Sequence, residues 1–440
     1  MIARALSRPR TRRGRLLPSA LLVAASAFAS APVRAAEPAA APATSESVHV
    51  SAGTEDADAW GQVARVPMPA GPHRVWVNDR VFRHSLLFDG DDGRMLGAVD
   101  AGLGLSSKPP YPAPGRNEVY VVESFYSRGH RGQRTDVVTI YDATSLSALG
   151  DVEIPPRVAD TGHGIALAAL LDGERFLAVF NQAPGSSVSI VDLEERRFVE
   201  EITTGGCAGV YPVGPRRFGM LCGDGTALLV ELDENGRKAS LAPSEKFFDV
   251  VTDPLTVSGV RDGGRWLFAS FEGFLHAVDF SGSAPKPAEP WSLFTASERS
   301  DEWRVGGVQH LAFHGPTRRL YSVVHQGGPG THKDPGPEIW VYDVDRKERV
   351  EQLDAPNVLF GFIRPFVGVD STSFTASVLR TLLPSPGVHS ISVTQDEAPL
   401  LFARNTDLGS VGVLDARSGE HVRDLEEVGL SGTMLVTVAP

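Results

Sequence analysis

The chain has 440 residues, of which 42 are basic and 54 acidic, so its formal net charge at neutral pH is -12. A hydrophobic content of 42% is enough for a buried core and excludes wholesale disorder. The acidic balance argues against nucleic acid or an anionic membrane as the main partner. The length fits several ordinary domains or one large β architecture, and the 45 glycines and 32 prolines favour a fold with many turns.

The first 35 residues have the organisation of a secretory signal peptide. Six arginines and no acidic residue lie between Met1 and Arg15, an apolar run covers residues 16–28, and small residues lead to Ala35. This run is shorter than the roughly 20 apolar residues of a membrane-spanning helix. We therefore predict export through a cleaved signal peptide and no membrane span. Cleavage removes seven arginines and no acid, which leaves a mature chain of charge -19.

Residues 36–59 form a polar lead that we expect to be flexible, and a repeated pair of apolar segments occupies residues 60–440. In each pair, a strand-like segment is followed by a turn and by a second segment that ends in a carboxylate. Seven pairs occur, and their terminal carboxylates are Asp89, Asp142, Asp192, Glu231, Asp279, Asp343 and Asp415. They are 39 to 72 residues apart, near the roughly 40–50 residues of one propeller blade. The pattern predicts an all-β fold, a seven-bladed β-propeller.

The repeated carboxylates are interpreted as turn formers, because Asp accepts hydrogen bonds from the backbone that follows it. A ring of them that binds a cation is the less favoured alternative. The last apolar segment, residues 432–438, has no partner after it in the chain. We expect it to complete the first blade or to receive a strand from residues 62–66, and either arrangement closes the ring.

Cys207 and Cys222 are the only cysteines. They flank a turn at residues 211–216, so they could face each other across a hairpin, and disulfides persist outside the cytoplasm. A metal-binding pair or a reactive thiol is the alternative, although the Cys-x-x-Cys spacing and nearby histidines of such sites are absent.

Groups that carry chemistry are scarce. His310 and His314 lie on a predicted strand, where four residues separate side chains by about 13 Å, too far to share one metal. His163 stands between glycines and fits a catalytic or an ordinary loop residue. The sequence lacks the nucleophile-elbow, phosphate-loop and zinc-protease motifs. The basic residues 128–134 are conspicuous in an acidic protein and form either a solvated hairpin loop or a dock for an acidic partner.

Short motifs stand in a characteristic order along nearly the whole mature chain. They occupy residues 131–138, 206–212, 222–225, 278–282, 290–293, 303–307, 330–333, 338–341 and 394–397. Their order and spacing resemble the heavy subunit of the bacterial amine dehydrogenases that use tryptophan tryptophylquinone. The resemblance is closer to the aromatic-amine type than to the methylamine type.

This resemblance implies a periplasmic assembly of two heavy and two light subunits, with a seven-bladed propeller as the heavy subunit and a disulfide between Cys207 and Cys222. The quinone and the catalytic base belong to the light subunit, so no catalytic residue, cofactor site or metal site is expected in this chain. The complex oxidises a primary amine to an aldehyde and ammonia and passes electrons to a blue copper protein. The heavy subunit shapes the substrate channel and holds the light subunit.

Two departures from the family pattern concern the substrate and the partner. In the family, a Phe of the heavy subunit lines the substrate channel, and Leu103 occupies the matching place here. Residues 357–386 are an apolar insertion between the sixth and seventh hairpins, expected to add a blade strand or, alternatively, to form a patch covered by a partner.

Two functions of other classes stay open beside the dehydrogenase subunit. The first is a stand-alone periplasmic propeller that binds or scaffolds without catalysis. The second is a lactonase-like hydrolase, which needs acidic metal ligands that converge at the mouth of the channel.

Overall fold

The computed structural model describes residues 65–79, 82–100, 108–129, 131–159, 164–360, 385–429 and 434–437, together with 363, 368, 375, 378–379 and 382–383. Within this part of the chain, thirty strands form seven antiparallel sheets. The fold is a seven-bladed β-propeller, as the hairpin pattern predicts. The predicted signal peptide and the lead at 36–59 lie outside the described residues.

The first four blades are formed as follows. Blade 1 contains β1 (Arg74–Asp79), β2 (His84–Asp89) and β3 (Met95–Asp100). Blade 2 contains β4 (Tyr111–Ala113), β5 (Glu118–Tyr126), β6 (Arg134–Asp142) and β7 (Ala148–Ile154). Blade 3 contains β8 (Ala168–Leu171), β9 (Phe176–Asn181), β10 (Ser187–Asp192) and β11 (Arg197–Thr203). Blade 4 contains β12 (Cys207–Gly214), β13 (Arg217–Cys222), β14 (Ala227–Leu232) and β15 (Lys238–Pro243).

The remaining blades have the same plan. Blade 5 contains β16 (Val260–Asp262), β17 (Arg265–Ala269), β18 (Phe274–Asp279), and the short β19 (Lys286–Pro287) and β20 (Trp291–Ser292), which both pair with β18. Blade 6 contains β21 (Trp303–Val305) and β22 (Leu311–His314), which both pair with β23 (Arg319–Gln326), then β24 (Glu338–Asp343) and β25 (Glu348–Asp354). Blade 7 contains β26 (Ser390–Val393), β27 (Leu400–Arg404), β28 (Ser410–Asp415) and β29 (His421–Glu426).

Short helices connect some of these strands. The α-helix α1 (Ala296–Ser300) begins with a capping box, in which Thr295 and Glu298 bond each other's backbone N–H groups. Two 3-10 turns, Pro114–Arg116 and Ile165–Leu167, precede β5 and β8.

The last strand, β30 (Leu435–Thr437), closes the ring by pairing with β1 as the inner strand of blade 1. Val75 lies opposite Thr437, and Val77 lies opposite Leu435. Of the two predicted closures, the structure therefore has the first. Joining the first and the last strand of the propeller in one sheet removes an open sheet edge that would otherwise be exposed to pairing with other chains.

The hydrophobic core is divided among the contacts between neighbouring blades. Seven buried clusters occur in the described part, one for each of the seven blade interfaces. In the cluster between blades 3 and 4, Phe176 and Phe180 pack with Phe218 and Met220. Every residue of β9 and β10 is buried, whereas β7 and β25 are largely exposed. Middle strands are covered on both faces, which explains their nearly continuous apolar sequences.

Six of the seven repeated carboxylates form turns, as predicted. Asp142, for example, accepts hydrogen bonds from the backbone N–H groups of Thr144 and Ser145 at 3.0 and 2.6 Å, and these bonds hold its pKa below the usual value. Glu231 is the exception, because it lies within β14 and binds Arg217 at 2.8 Å. The turn after β14 is formed instead by Asp233, which accepts from the Asn235 N–H at 2.8 Å.

Cys207 and Cys222 lie opposite each other on β12 and β13 and form a disulfide with an S–S distance of 2.03 Å. Both cysteines are buried. The predicted pairing across the hairpin is confirmed, and the metal-pair and reactive-thiol alternatives are wrong.

The insertion at residues 357–386 is only partly described. Its described residues 358–360, 363, 375, 378–379 and 382 are helical, and none of them is in a strand. The expectation of an extra blade strand is therefore wrong for these positions. Val358 and Phe360 are fully buried, and the Ser410 hydroxyl donates to the Val358 carbonyl, so the start of the insertion is anchored on blade 7.

Candidate functional site

The topology gathers several predicted features at one end of the propeller. We call this end the upper face; it carries the hairpin between the second and third strands of each blade and the connections between successive blades. The basic hairpin, the disulfide and the insertion all belong to it. Leu103 belongs to the connection between Asp100 and Lys108 and lies outside the described residues, as does His163.

Large exposed apolar side chains concentrate at the upper face. They are Phe82, Phe125, Ile165, Val251, Val257, Val378 and Leu382, with exposed fractions from 37% to 84%. Most other exposed large apolar residues of the described part lie singly on outer strands, such as Leu149 on β7 and Val350 on β25. Exposed apolar groups that share one face are typical of an interaction surface.

The basic hairpin between β5 and β6 divides into a structural and an exposed part. Arg134 makes two hydrogen bonds to Asp136, at 2.7 and 2.9 Å, and one to the Val158 carbonyl at 2.9 Å. Arg128 and Arg131 are exposed. The loop is a regular hairpin with solvated arginines, and both interpretations of it, a solvated loop or a dock for an acidic partner, still fit.

A recess of about 470 Å³ opens at the upper face between blades 1 and 2. We call it the acidic recess. Three carboxylates and three aromatic rings form most of its wall, and its lining residues are Phe82, Arg83, Asp100, Glu123, Phe125, Thr139, Tyr141 and Asp151. Asp100, the last residue of β3, also begins the connection that contains Leu103.

Glu123 is the most buried carboxylate of the acidic recess, with 3% of its surface exposed. Burial raises the pKa of Glu123 to about 7. The hydroxyl of Thr139 donates to the carboxylate and opposes this rise, as does the charge of Lys108, while the charges of Asp100 and Asp151 add to it. This group leaves no motif in the sequence, because its carboxylates come from three separate strands. The one available signal was an acidic residue in the middle of an apolar run at 119–125.

A central channel of about 770 Å³ follows the axis of the propeller. The inner strand of every blade lines it, through Tyr111, Ala168, Val210, Val260, Leu311, Ile391 and Thr437 among others. Within the described residues, no three His, Cys, Asp or Glu side chains come together as a metal-binding group.

His310 and His314 have separate partners, as the strand spacing predicts. His310 Nε2 lies 3.1 Å from the Thr256 hydroxyl, and burial lowers the pKa of His310 to about 4. His314 Nδ1 lies 2.7 Å from the Thr317 hydroxyl, and its Nε2 lies 3.0 Å from the Asp396 carbonyl. Both rings are engaged in packing and hydrogen bonds inside the fold.

The geometry of the upper face and the channel does not identify a protein family, whereas comparison with known families does. The family model described as methylamine dehydrogenase heavy chain (MADH) matches residues 71–361 and 364–439, which is nearly the whole propeller. The chain belongs to the methylamine dehydrogenase heavy-chain family. This membership agrees with the resemblance found in the sequence motifs at the level of the family, without distinguishing the aromatic-amine type.

Individual heavy chains of the family are similar along most of their length. The methylamine dehydrogenase heavy chain of Paracoccus versutus is 24% identical over 383 residues, covering 85% of this chain and 81% of that protein. The heavy chain of Methylobacillus flagellatus is 26% identical over 381 residues, covering 84% and 86%. A solved structure of a protein of unknown function from Desulfotomaculum acetoxidans has a TM-score of 0.52 at 11% identity, covers 84% of this chain and 99% of that one, and bears on the fold alone.

In the described residues of this protein, no helix is both long and apolar enough to cross a bilayer.

Proposed function

We propose that this chain is the large, cofactor-free subunit of a periplasmic amine dehydrogenase that converts a primary amine into an aldehyde and ammonia. The observation that carries the proposal is the match to the heavy-chain family over residues 71–361 and 364–439. The partner is a light subunit, in an assembly of two heavy and two light chains. Electrons leave the complex singly, to a blue copper protein.

The quinone of such a complex is expected on the light subunit, and two of the described tryptophans of this chain, Trp303 and Trp340, have a packing role. Trp303 and Trp340 form a close ring pair, with centroids 4.8 Å apart. Trp340 is 1% exposed and is covered by the guanidinium of Arg349 at 4.0 Å, in the cluster between blades 5 and 6. Trp303 is partly buried in the same cluster, so both rings take part in the packing between these two blades.

The residues of this chain contribute a surface and a channel wall. The exposed apolar side chains of the upper face support the docking of the light subunit there. Asp100, the residue after which the connection that contains Leu103 begins, lies at the same face. The quinone, when bound in the complex, supplies the electron sink, while this chain restricts which amines reach it and keeps water from entering freely.

The amine itself is a separate part of the proposal. The motif resemblance is closer to the aromatic-amine type, and Leu103 stands where the family has a channel Phe. A branched aliphatic side chain lacks the flat face of a phenyl ring, so we expect a wider channel that accepts bulky primary amines.

Purification of the protein from its native host tests the proposal. We expect a small quinone-bearing chain to co-purify, a mass that corresponds to two heavy and two light chains, and amine-dependent reduction of an artificial dye. Protein that elutes alone and gives no dye reduction with methylamine or with a bulky aromatic amine would instead support the stand-alone scaffold.

The gene neighbourhood offers an independent check. A neighbouring reading frame that encodes a short, cysteine-rich, exported chain with two tryptophans available for cofactor formation supports the dehydrogenase subunit. The absence of such a frame, together with a monomeric protein, contradicts it.

A further inference from the structure

The hairpin loop at residues 327–337, which we call the blade 6 loop, joins three blades at the upper face. It connects β23 with β24, and near its end the backbone of Gly336 exchanges two hydrogen bonds of 2.9 Å with Val388, just before the inner strand of blade 7. The imidazole of His332, in the middle of the loop, stacks on the ring of Phe271 with centroids 3.7 Å apart. Phe271 lies in the corresponding hairpin of blade 5, so the position of the loop depends on contacts with blades 5 and 7.

His325, near the upper end of β23, contacts this loop through a hydrogen bond that fixes its tautomer. The Thr331 hydroxyl donates to the Gly328 carbonyl at 2.7 Å, so it accepts from His325 Nε2, which lies 2.9 Å away. Nε2 therefore carries the ring proton, and Nδ1 presents a lone pair. Only 4% of His325 is exposed, and its Nδ1 is buried without a hydrogen-bond partner among the described residues. A second proton on this ring would place an unpaired N–H group in the interior, at a cost in free energy.

The surroundings of His325 disfavour its charged form. The ring packs closely against Gly306 and Gly327, and a Cβ at Gly306 would collide with Nδ1 itself. Burial is the main cause that lowers the pKa of His325, the charge of Arg304 adds to this lowering, and the charge of Asp334 opposes it. Arg304 is fixed by a hydrogen bond to the Gly327 carbonyl at 2.8 Å. The imidazole is therefore uncharged at neutral pH.

His332 is a second imidazole with an unpaired nitrogen. It is half-buried, and its Nδ1 is buried without a hydrogen-bond partner among the described residues. Burial lowers the pKa of His332, as do the charges of Lys333 and His325, while the charge of Asp334 opposes them. Asp334 also faces His389 of blade 7, and burial lowers the pKa of that histidine too. One carboxylate therefore faces three imidazoles and does not keep any of them protonated at neutral pH.

His310 is the third imidazole of this group, and it lies before the inner strand of blade 6. Its Nε2 lies 3.1 Å from the Thr256 hydroxyl. Burial lowers the pKa of His310 to about 4, the charge of His332 adds to this lowering, and the Gly307 carbonyl opposes it. We call His310, His325 and His332 the histidine cluster.

We propose that the histidine cluster makes the blade 6 loop an acid-sensitive latch: uncharged imidazoles hold the loop on blades 5 and 7, and protonation of His325 and His332 in acid releases it. Opening of the loop exposes these two rings to water, where an imidazole has its ordinary pKa of about 6.5. A ring that takes up a proton only when released favours the open loop below that pH. Each such ring shifts the ratio of open to closed loop by up to about tenfold per pH unit.

The latch goes beyond the proposed function and does not rest on it, because it is a property of this chain alone. The blade 6 loop belongs to the upper face, so its release in acid would disturb the surface on which we propose that the light subunit docks. Only this consequence for the complex rests on the proposed function.

Hydrogen exchange of the purified full-length protein at pH 7.5 and at pH 5.0 tests the latch, after correction for the intrinsic exchange rate at each pH. We expect the protection factors of the Gly336 and Val388 amides to fall at least about tenfold at pH 5.0. The amides of β9 and β10, in the core of blade 3, serve as the internal reference and should keep their protection.

The variant His325→Gln/His332→Phe removes both titrating rings and keeps their contacts. The amide of the new Gln can donate to Thr331, and the new phenyl ring can keep the stacking contact with blade 5. We therefore expect the loop protection of this variant to be equal at the two pH values within about twofold. His421→Gln is the matched control, because His421 lies on the outer strand of blade 7 with Asp424 at 2.9 Å, and it should keep the full response to acid.

A change in the wild type of less than twofold, or a full response that persists in the double variant, overturns the latch. A second measurement needs no variant and decides the matter if the double variant loses protection in blade 3 as well. Exchange of the imidazole C2 proton, followed by mass spectrometry, reports the protonation of each histidine. Protonation of His325 and His332 with the same pH midpoint as the loss of loop protection supports the latch. Protonation with a midpoint of about 6.5 in a loop that stays protected contradicts it. Each result is independent of whether the protein has a light subunit.

Discussion

The side chain of Gln309 and the backbone of Leu435 exchange two hydrogen bonds across the ring closure. Gln309 Nε2 donates to the Leu435 carbonyl at 2.8 Å, and the Leu435 N–H donates to Gln309 Oε1 at 2.9 Å. The same amide group donates to the Ile391 carbonyl at 3.0 Å. Gln309 precedes the inner strand of blade 6, Ile391 belongs to blade 7, and Leu435 belongs to the strand that completes blade 1. One buried side chain therefore joins three blades at the central channel.

Replacing Gln309 with Leu should weaken the closure of the ring. The variant keeps the volume but leaves the N–H and carbonyl of Leu435 without these partners, at a cost of about 1–3 kcal/mol for each buried group left unpaired. We expect a lower free energy of unfolding by denaturant and faster hydrogen exchange at the Leu435 amide.

Gln133→Ala is the matched control, because Gln133 is exposed in the hairpin between β5 and β6. Unchanged protection of the Leu435 amide in Gln309→Leu would show that the strand pairing of β30 with β1 is sufficient to close the ring.

His73 joins blades 1 and 7 at the lower end of the propeller, which is the end opposite the upper face. Its Nδ1 lies 2.6 Å from Asp91 Oδ1, and its Nε2 lies 3.0 Å from Asp396 Oδ2. Burial lowers the pKa of His73, but the hydrogen bonds and charges of Asp91 and Asp396 together outweigh burial and raise it above 6.5. A raised histidine pKa stabilises the fold at pH values below the unfolded pKa, and this stabilisation disappears as pH rises through the folded pKa.

His73→Gln should therefore unfold more easily than the wild type at pH 5.5–6, with a difference that shrinks toward pH 8.5. Denaturant unfolding across this pH range measures it. Asp396→Asn, which removes one of the two carboxylates, should flatten the same pH dependence. A difference between wild type and His73→Gln that is constant with pH would contradict a charged imidazole at this junction.

Glu123→Gln is expected to stabilise the protein at alkaline pH. The pKa of Glu123 is about 7 in the fold and about 4.5 when unfolded, so the fold loses stability as pH rises between these values. The charged groups that face the acid are Asp100, Asp151 and Lys108. The amide cannot ionise, and the variant should gain up to about 3 kcal/mol at pH 8 and little at pH 4.5, as measured by denaturant unfolding. Glu153→Gln should show no such gain, and an equal effect at both pH values would refute the shifted carboxylate.

The disulfide should contribute to stability through the unfolded chain. It joins residues 15 positions apart, for which the chain-entropy model gives about 3 kcal/mol. The double variant Cys207→Ala/Cys222→Ala should lose about this amount in denaturant unfolding, and reduction of the wild type should reproduce most of the loss. Equal stability of the oxidised wild type and the double variant would show that the hairpin needs no covalent constraint.

Leu103→Phe tests the channel assignment in the complex. A phenyl ring in place of the smaller side chain should narrow the channel and lower kcat/KM for a bulky aromatic amine severalfold relative to methylamine. Leu149→Phe, at an exposed position on the outer strand of blade 2, serves as the control. An unchanged ratio of the two kcat/KM values would remove Leu103 from the substrate path.

The blade pattern was readable from sequence because each hairpin repeats a local chemistry. The segment that ends at Asp192 is apolar because both faces of its strand are buried between blades. Asp192 itself accepts hydrogen bonds from the backbone N–H groups of Glu194 and Glu195. Glu231 ends the apolar segment of its hairpin in the sequence pattern, as Asp192 does. The turn is nevertheless formed by Asp233, because β14 continues to Leu232. The sequence pattern locates the hairpins correctly, but for this turn it points to a carboxylate two residues before the one that forms it.

Sequence alone determined what depends on neighbours along the chain: the seven hairpins, the turn-forming aspartates, the pairing of Cys207 with Cys222 across one turn, and the motif order that indicates the family. Tertiary structure decided what depends on ring closure. Gln309 and Leu435 are 126 residues apart, and Asp100, Glu123 and Asp151 lie on three strands of two blades. Local hydrogen bonding and burial leave a periodic trace in the sequence, whereas the meeting of distant blades is fixed only by their packing around a common axis.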